Sequence, residues 1–398
     1  MRTQLFLVLL LCSLVVSSSP AAVWDSAIEP IPSTEPVFTL GDQGRPAVAD
    51  SKSRVHTVYH HHLGDDVFEI GYNIRQEDGI WGMVEIISGT TNALAASIAV
   101  DAEDGIHVVW EDIETSQINI QYRYRSPEGV WQGIEKLTQG KRLSSSPDIA
   151  VDSFGRVHVA WIDAAVGAPK VFYTRRDSRE SAWREPEILS LDGNNPEPPT
   201  MATDGLGYVH IAWSDRVGDP DALGNYNHEI FYVELGPESD PDIQVLQLTE
   251  AFGVSREPFI EATQDGTVHL IWVDNRFFSA FEIFYRRKLP GIGWGKDKRF
   301  TYNDEQHAKP VIVAGANQTL NVAWEDFTHG NPEIYYRQIT QETGWDPSPT
   351  RLTQDNSSSV RPFLVADPKG DLLLLWTDTE DNAVRKVFTR RGNALGGP

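Results

Sequence analysis

Apolar and polar residues alternate along most of this chain with the two-residue period of β-strands. The alternation recurs as one unit: a short apolar strand, a turn, and a second strand that ends in Trp-x-Asp. One copy spans Val151 to Asp163 and reads VDSFGRVHVAWID. The anchoring aromatic residue of the unit falls at Tyr59, Trp110, Trp161, Trp213, Trp272, Trp324 and Trp376. The spacings of 51, 51, 52, 59, 52 and 52 residues indicate an internal repeat.

Each repeat has room for four short strands separated by turn residues. The third strand follows the pattern Glu-Ile-x-Tyr, as in Glu282 to Tyr285, and the fourth ends in Leu-Thr, as at Leu352 and Thr353. Seven such units with large aromatic residues in register are typical of sheets packed face to face around an axis. The sequence therefore predicts an all-β chain folded as a seven-bladed β-propeller of four-stranded blades.

The last repeat ends after its third strand, and its Gly-rich tail contains no Leu-Thr strand. Near the other end of the chain, the segment from Val37 to Leu40 resembles the missing piece. We therefore expect this N-terminal strand to pair into the last blade and close the ring, because closure removes sheet edges that would invite aggregation.

The first residues have the pattern of a targeting segment. Arg2 precedes an apolar run from Leu5 to Val16, and small residues follow the run. The predicted divisions are a signal peptide over residues 1–21, a linker over residues 22–34 and a single propeller domain over residues 35–398. The one cysteine, Cys12, lies in the signal peptide, so we expect no disulfide in the mature chain. These features indicate a secreted or periplasmic protein.

The charge balance narrows the class of partner. The 398 residues carry a formal net charge of −23, which opposes binding to nucleic acid or to an anionic membrane surface. No second apolar run approaches the roughly 18 residues needed to span a membrane. The expected partner is an extracellular glycan or protein, and the expected state is a monomer.

Two polar residue types recur within the repeats, and we interpret both as structural. A catalyst needs one histidine rather than five equivalent ones, so the repeated histidines are expected to be buried and bonded to backbone or to nearby aspartates. The histidines are His56, His107, His158, His210 and His269, and the aspartates are Asp50, Asp101, Asp152 and Asp204. The Trp-x-Asp carboxylates are expected to cap turn backbone.

The loops of repeats four to six depart most from the repeat and carry aromatic residues beside arginines. Exposed aromatic rings next to arginine suggest a surface for a glycan or a protein, although packing of one loop against another is an equal alternative. The candidate ligand-binding residues are Arg216, Tyr226, Arg256, Arg276, Phe277, Phe278, Phe281 and Phe327. The same loops also contain Phe252, His307, Lys309 and His329.

Two features suggest metal binding only weakly. His60 and His62 would share one face of a strand, but no third ligand is evident. The insertion from Arg216 to His228 contains oxygen-bearing side chains of the kind that Ca²⁺ prefers, in a spacing that matches no defined loop. These candidate Ca²⁺ ligands are Asp219, Asp221, Asn225 and Asn227.

Several segments resemble the BNR-repeat, sialidase-like β-propellers of bacteria. Trp272-Val273-Asp274-Asn275-Arg276 is followed by Glu282-Ile283-Phe284-Tyr285-Arg286 and then by Arg299-Phe300-Thr301. The Asp-box of that family is degenerate here, and its nearest copy runs from Ser126 to Trp131. The resemblance spans all seven repeats and implies a propeller, whereas sialidases themselves resemble six-bladed rings.

The resemblance implies candidate catalytic residues, which we state as expectations. A sialidase pattern has an arginine opening the ring, two further arginines, an acidic residue and a Tyr–Glu pair, and no Tyr–Glu pair can be matched here. The matching candidates are Arg45, Asp65, Asp66, Arg256 and Arg361. We therefore expect a secreted binding module for a glycan or an extracellular protein rather than an enzyme. The alternatives are a carbohydrate-active enzyme on the same face (a glycoside hydrolase, a sialidase-like enzyme or a polysaccharide lyase) and a purely structural surface protein.

Overall fold

The computed structural model describes residues 22–32, 38–41, 44–64, 67–89, 92–114, 117–139, 143–164, 167–190, 195–219, 226–237, 243–277, 280–303, 305–315, 319–340, 344–345, 348–354, 356–379 and 385–393. These residues form β-strands, turns and bends, with no helix among them. In the part of the chain described here, no helix long and apolar enough to span a membrane occurs.

The strands form seven antiparallel sheets that follow one another along the chain. The N-terminal segment contains β1 (Val23–Trp24) and β2 (Glu29–Pro30). Blade one contains β3 (Phe38–Thr39), β4 (Ala47–Ala49), β5 (Val55–Gly64), β6 (Val67–Arg75) and β7 (Glu85–Ile86). Blade two contains β8 (Ala93–Val100), β9 (Ile106–Glu114), β10 (Gln117–Arg125) and β11 (Glu135–Lys136). Blade three contains β12 (Ser144–Val151), β13 (Val157–Asp163), β14 (Lys170–Arg176) and β15 (Glu187–Ile188).

Blade four contains β16 (Thr200–Thr203), β17 (Val209–Val217), β18 (Asn227–Leu235) and β19 (Leu246–Gln247). Blade five contains β20 (Ser255–Ala262), β21 (Val268–Asp274), β22 (Glu282–Leu289), β23 (Gly293–Trp294) and β24 (Lys298–Arg299). Blade six contains β25 (His307–Ala314), β26 (Leu320–Asp326), β27 (Glu333–Thr340), β28 (Gly344–Trp345) and β29 (Thr350–Arg351). Blade seven contains β30 (Ser359–Ala366), β31 (Asp371–Thr379) and β32 (Arg385–Asn393). The predicted seven-bladed propeller of four-stranded blades is confirmed.

The cores lie between adjacent blades, where the aromatic residues in register meet. The six anchor tryptophans and Tyr59 are almost fully buried. A second tryptophan, in the turn between the third and fourth strands, packs edge-on against the third-strand tyrosine of the preceding blade. Trp131 contacts Tyr72 in this way, and Trp294 contacts Tyr232, each with ring centroids 5.0 Å apart.

The ring is closed by an N-terminal strand, but by a different segment from the one expected. β1 and β2 pair with β32 and supply the outer strand of blade seven. The segment from Val37 to Leu40 was expected to close the ring, and this expectation is wrong, because Phe38 and Thr39 pair with β5 and begin the innermost strand of blade one. The residues interpreted as a linker therefore contain the closing strand. A Leu-Thr-like tetrapeptide is short enough to fit an inner or an outer strand, so its pattern could not distinguish the two.

The repeated histidines are structural, as predicted. In blades one to four the imidazole lies between a third-strand tyrosine hydroxyl and a turn aspartate, and both contacts are within hydrogen-bond range. In blade three, His158 lies 2.7 Å from Tyr173 Oη and 3.0 Å from Asp152 Oδ2, which is the shortest of the four histidine–aspartate distances. The other three sets are His56 with Tyr72 and Asp50, His107 with Tyr122 and Asp101, and His210 with Tyr232 and Asp204. The repeated histidines hold the second strand to the turn before it and to the third strand.

Of the Trp-x-Asp carboxylates, Asp215, Asp274 and Asp326 accept backbone amides, as predicted. Carboxylates of this set also bind side chains of their own blade. Asp274 accepts hydrogen bonds from the Arg276 amide at 2.8 Å and from the Ser255 hydroxyl at 2.8 Å. Its carboxylate also accepts the indole N–H of Trp272 at 3.2 Å. Because Ser255 opens the innermost strand, Asp274 ties the first two strands of blade five together. Asp163 and Asp378 do the same through Ser144 and Ser359 in blades three and seven.

Candidate functional site

Each innermost strand contains an irregularity at the same depth along the propeller axis. In blades two, three, five, six and seven, the pairing register shifts by one residue there, which marks a β-bulge. We call the equivalent residues the axial ring; they are Gly44, Ala95, Ser146, Pro198, Glu257, Lys309 and Arg361. All of them except Pro198 have a left-handed backbone, with φ between 48° and 79°.

Side chains of the preceding blade satisfy the backbone at several ring positions. The amide of Ser146 donates to Glu111 Oε1 at 2.6 Å, and the amide of Arg361 donates to Glu325 Oε1 at 2.7 Å. Burial raises the pKa of both glutamates. These contacts fix the bulges and therefore the directions of the ring side chains.

Five residues of the axial ring line a cavity of about 440 Å³ at the end of the propeller axis where the innermost strands begin; they are Gly44, Pro198, Glu257, Lys309 and Arg361. Glu257, Lys309 and Arg361 line one side of it, in three consecutive blades. At the equivalent positions, blades one to four carry Gly, Ala, Ser and Pro. Any residue with a Cβ atom pays roughly 1–2 kcal/mol for a left-handed backbone, and glycine does not. The bulge alone therefore favours glycine and does not explain the three consecutive charged residues.

The charged side chains of the wall are held in place by an ion pair and by hydrogen bonds. Lys309 Nζ lies 3.0 Å from Glu257 Oε1, and the Lys309 amide donates to the other oxygen of the same carboxylate at 2.8 Å. The Arg361 guanidinium donates to the carbonyl oxygen of Leu40 at 3.2 Å. Both partners of the Lys309–Glu257 pair are about 30% exposed, so solvent screens this pair and a ligand can reach it.

A third group of charges joins blades four and five at the wall. Arg256 Nε donates to Glu197 Oε1 at 2.6 Å, and these two residues occupy equivalent positions in neighbouring blades. His228 Nδ1 lies 3.9 Å from the same glutamate oxygen. Burial lowers the pKa of His228, although the charge of Glu197 opposes the shift. Sequence reasoning selected Arg256 and missed Glu197 and His228, because neither stands in a recognisable motif.

The inner end of the cavity is apolar, with one buried carboxyl group. Phe259 and Phe363 contact each other edge-on with ring centroids 6.0 Å apart. Asp148 accepts the hydroxyl of Ser97 at 2.6 Å and the amide of Met201 at 2.8 Å. Burial raises the pKa of Asp148. The cavity thus combines aromatic rings with a rim of ordered charges.

Arg45 was a candidate for catalysis, and the structure gives it a different set of contacts. Its guanidinium crosses the axis and donates to the carbonyl oxygens of Met201 and Ile260, at 2.9 Å and 2.5 Å. It also lies 3.3 Å from Glu261 Oε2. Arg45 thus joins blade one to blades four and five below the cavity, and most of its donors are already used.

His307 replaces the serine that opens the innermost strand in blades three, five and seven. Its Nδ1 donates to the carbonyl oxygen of Phe281 at 3.0 Å, and its Nε2 lies 3.3 Å from Asp326 Oδ2. Burial alone would raise the pKa of Asp326, but the adjacent His307 imidazole and the hydrogen bonds from Thr328 hold it at about 2. His307 is fully buried, so its role at the cavity is to fix Phe281.

Some of the predicted aromatic and arginine residues line the cavity, and the others lie outside it. Arg256, Phe281 and Arg361 line the cavity. Phe277 lies on the surface and is 48% exposed, while Arg276 forms ion pairs with Asp274 and Asp297. The remaining described candidates are Arg216 and Tyr226, which contact each other with the guanidinium 4.8 Å from the ring centroid, and Phe327, which is half-buried.

Several candidates lie outside the described residues. These are Asp65, Asp66, Asp221, Asn225 and Phe278. Of the remaining Ca²⁺ candidates, Asn227 donates through its amide group to Glu229 Oε1 at 2.9 Å. His60, proposed with His62 as a metal pair, accepts the amide of Ala95 at 2.8 Å. Among the residues that the structure describes, no group of three or more His, Cys, Asp or Glu side chains could hold a metal ion.

Comparison with known proteins defines the fold and leaves the family open. No protein-family model matches the sequence, and no curated protein matches it either. The BNR repeat therefore remains a resemblance. The two polysaccharide lyases and the oxidase of similar fold are 9% to 10% identical to this chain, so the similarity extends to the architecture and not to the identity of site residues.

Two of the similar structures are polysaccharide lyases. An ulvan lyase bound to -[GlcA(1-4)Rha3S]- has a TM-score of 0.62 at 9% identity, covering 92% of this chain and 95% of the lyase. The polysaccharide lyase Uly1 has a TM-score of 0.59 at 9% identity, covering 94% of this chain and all of the lyase. A fungal alcohol oxidase in complex with copper has a TM-score of 0.56 at 10% identity, covering 94% of this chain and 77% of the oxidase. The same architecture thus supports different chemistries.

Proposed function

We propose that this protein is an extracellular binding module that holds a glycan bearing an acidic group in the axial cavity. The observation that carries the proposal is which residues stand at the axial-ring positions. Three consecutive blades place Glu257, Lys309 and Arg361 at left-handed positions of the cavity wall, where the backbone favours glycine. A side chain kept against its conformational preference at the wall of a cavity is explained by a ligand that it contacts.

The chemistry of the wall fits a saccharide. Sugar rings present flat apolar faces that stack on aromatic side chains, and the inner end of the cavity supplies Phe259 and Phe363. Sugar hydroxyl groups pair with carboxylates, and a uronate or sulfate group pairs with a guanidinium or an ammonium group. Lys309 and Arg361 supply these cations. A volume of about 440 Å³ is in the range of small-ligand sites and accommodates one or two sugar units.

Two further observations support a glycan over a protein ligand. The structures of similar fold include two polysaccharide lyases, one of them bound to a saccharide containing glucuronate. The N-terminal pattern of the sequence is that of an exported protein, and acidic polysaccharides are abundant outside cells. The net charge of −23 repels acidic polymers at long range, but salt screens this repulsion over about 8 Å at physiological ionic strength.

The experiment is retardation in native gels containing a soluble polysaccharide, with ulvan and alginate as acidic probes and xylan as the neutral probe. We expect ulvan or alginate to retard the protein and the variant Lys309→Ala to migrate freely. The matched control is Lys369→Ala, because Lys369 is also an ion-paired lysine but lies in the turn before β31, at the opposite end of the innermost strands. If no probe retards the protein, or if Lys309→Ala is retarded like the wild type, the proposal is wrong.

A second candidate function is cleavage of the bound glycan. The observation that favours it is that His228 lies beside Glu197, which lines the cavity together with Arg256. The lowered pKa of His228 keeps its imidazole neutral near pH 7, as a base requires. Incubation of the purified protein with ulvan and alginate distinguishes the two functions, since a hydrolase releases reducing ends and a lyase also creates unsaturated sugars that absorb in the ultraviolet. If the polysaccharide keeps its length over a long incubation, the protein binds the glycan without cleaving it.

A further inference from the structure

Outside the cavity, three adjacent loops on the same face expose aromatic rings. The loop from β19 to β20 carries Phe252, which is 97% exposed. The loop from β21 to β22 carries Phe277, and the loop from β24 to β25 carries Tyr302, which are 48% and 65% exposed. Burial of an aromatic side chain is favourable, so three exposed rings in neighbouring loops indicate a surface that a ligand covers.

Two of these rings, those of Phe277 and Tyr302, are held in place by neighbouring side chains. The Arg299 guanidinium lies 5.5 Å from the ring centroid of Phe277 and 5.1 Å from that of Tyr302, which places the cation between the two rings. Arg299 is itself fixed by Glu282, whose Oε1 accepts a hydrogen bond at 2.6 Å. Phe277 also contacts Phe284 with ring centroids 5.9 Å apart. Phe277 and Tyr302 therefore form a preorganised pair on one arginine. We call this pair, together with Phe252 of the neighbouring loop, the aromatic platform.

The loop of Phe252 packs closely against the same blade. A Cβ atom at Gly253 would lie 2.9 Å from the Cα atom of Arg276, so no larger residue fits there without a shift. Gly253 also has a φ of 124°, which favours glycine. The close approach places the exposed ring of Phe252 beside the loop that carries Phe277.

The platform is continuous with the cavity through the loops that build both. The loop from β21 to β22 provides Phe277 to the platform and Phe281 to the cavity wall. The loop from β24 to β25 provides Tyr302 to the platform and Gln306 to the cavity wall. The side chain of Gln306 accepts the amide of Phe281 at 3.3 Å and so joins these two loops at the cavity. A ligand that extends out of the cavity over blade five meets the platform next.

We infer that the aromatic platform binds the distal units of the same glycan, so that the ligand is a polysaccharide chain and not a monosaccharide or a terminal sugar. This inference rests on the proposed function. Sugar rings fit because one face of each is apolar while its hydroxyl edge stays solvated, which matches half-exposed aromatic rings set beside a cation. Repetition of similar rings over adjacent loops matches the repetition of units along a polymer.

The test measures affinity against chain length by isothermal titration calorimetry, with size-fractionated ulvan and alginate oligosaccharides of two, four and six units as probes. In the wild type, affinity is expected to rise more than tenfold from two to six units. The variants Phe252→Ala and Tyr302→Ala should each reduce this gain at least threefold and leave the affinity for two units unchanged. The variant Tyr302→Trp should retain the gain, since it keeps an aromatic face.

The matched control is Phe154→Ala. Phe154 is 64% exposed and also has an arginine guanidinium, that of Arg156, 5.1 Å from its ring centroid, but it lies in a turn at the other end of the innermost strands. Its removal should leave all affinities unchanged. Because Phe252 and Tyr302 are largely exposed, their variants are expected to fold, and equal melting temperatures verify this.

The outcomes separate the inference from the proposed function. If the two-unit probes bind and Lys309→Ala abolishes their binding, but affinity does not rise with chain length, the platform inference is overturned and the cavity proposal stands. Equal affinities of the platform variants and the wild type for six units would also overturn the inference. If no probe binds at any length, the proposed function itself fails.

Discussion

The indole ring of Trp24 packs edge-on against the ring of Tyr336, with centroids 5.0 Å apart. Trp131 contacts Tyr72 with the same distance and orientation, and so does Trp294 with Tyr232. Trp24 is therefore the turn tryptophan of blade seven, contributed from the opposite end of the chain. The amide of Ile31 donates to the carbonyl oxygen of Val387 at 2.9 Å and completes the outer strand of that blade. The first described residues thus hold the last blade in the ring.

Removal of this tryptophan should destabilise the whole ring. We expect Trp24→Ala to lower the free energy of unfolding by about 3 kcal/mol, because truncation of a packed tryptophan leaves a cavity beside the ring of Tyr336. The neighbouring Val23 is 59% exposed, so Val23→Ala should change the stability by less than about 0.5 kcal/mol. Urea denaturation followed by tryptophan fluorescence measures both. Equal effects of the two substitutions would show that Trp24 does not act as the turn tryptophan.

His269 should make stability depend on pH. Its Nδ1 lies 2.8 Å from the hydroxyl oxygen of Tyr285. Burial lowers the pKa of His269 to about 4, from an ordinary value near 6.5. Below pH 6.5 the unfolded chain binds a proton at this histidine and the folded chain does not, so protonation favours the unfolded state. The contribution of His269 to the free energy of unfolding is therefore complete above pH 6.5 and is lost as the pH falls toward 4. Between pH 7.5 and pH 5 this amounts to about 2 kcal/mol.

The variant His269→Gln should therefore lose about 2 kcal/mol less stability than the wild type over that range. The exposed His329 provides the control, and His329→Gln should behave as the wild type does. The measurement is urea denaturation at the two pH values. Identical losses in the wild type and in His269→Gln would contradict the assignment.

The contacts of Arg45 predict a structural effect that does not involve a ligand. Arg45→Met should lower the free energy of unfolding by about 3 kcal/mol, because it leaves the carboxylate of Glu261 in a largely buried site without its cation. The double variant Arg45→Met with Glu261→Gln should recover part of the loss, since it removes the uncompensated charge as well. Denaturation of the four proteins in the cycle gives the coupling energy. Additive effects would show that the two side chains do not interact.

Lys309 of the axial ring is expected to serve ligand binding and not the stability of the fold. Lys309→Gly should leave the free energy of unfolding unchanged or raise it by up to about 1 kcal/mol, because glycine adopts the φ of 48° without steric cost. Ala95→Gly, at the equivalent position of blade two and also with a φ of 48°, should show a similar change. Thermal denaturation tests this. A loss of more than about 1 kcal/mol in Lys309→Gly alone would mean that the lysine is there for stability.

The sequence predicts the architecture well because the repeat period and the aromatic register arise from local patterns. Trp24 could also have been recognised, since it is the one tryptophan that the seven repeats do not use, while blade seven lacks a turn tryptophan. The closing strand was placed wrongly because two-residue strands such as β1 and β2 are shorter than any reliable alternating pattern. Pairing over a separation of more than 350 residues depends on the completed ring.

The cavity was harder to foresee, although one signal was present. Glu257-Pro258, Lys309-Pro310 and Arg361-Pro362 are charged-Pro dipeptides separated by one repeat each, and they follow Ser146-Pro147 and Pro198-Pro199 in the same register. The sequence does not show that this register is a bulge with a left-handed residue facing the axis. Nor does it place Glu197 beside Arg256, because their contact joins two blades across 59 residues.

The account depends most on the claim that the charged sector of the axial ring binds the ligand. The most direct measurement is the affinity of Lys309→Gly and of Ala95→Gly for the ulvan hexasaccharide, with the alginate hexasaccharide in parallel, by isothermal titration calorimetry. The account predicts that Lys309→Gly weakens binding more than tenfold, about 1.4 kcal/mol, while Ala95→Gly binds as the wild type does. Equal affinities in the two variants would contradict it.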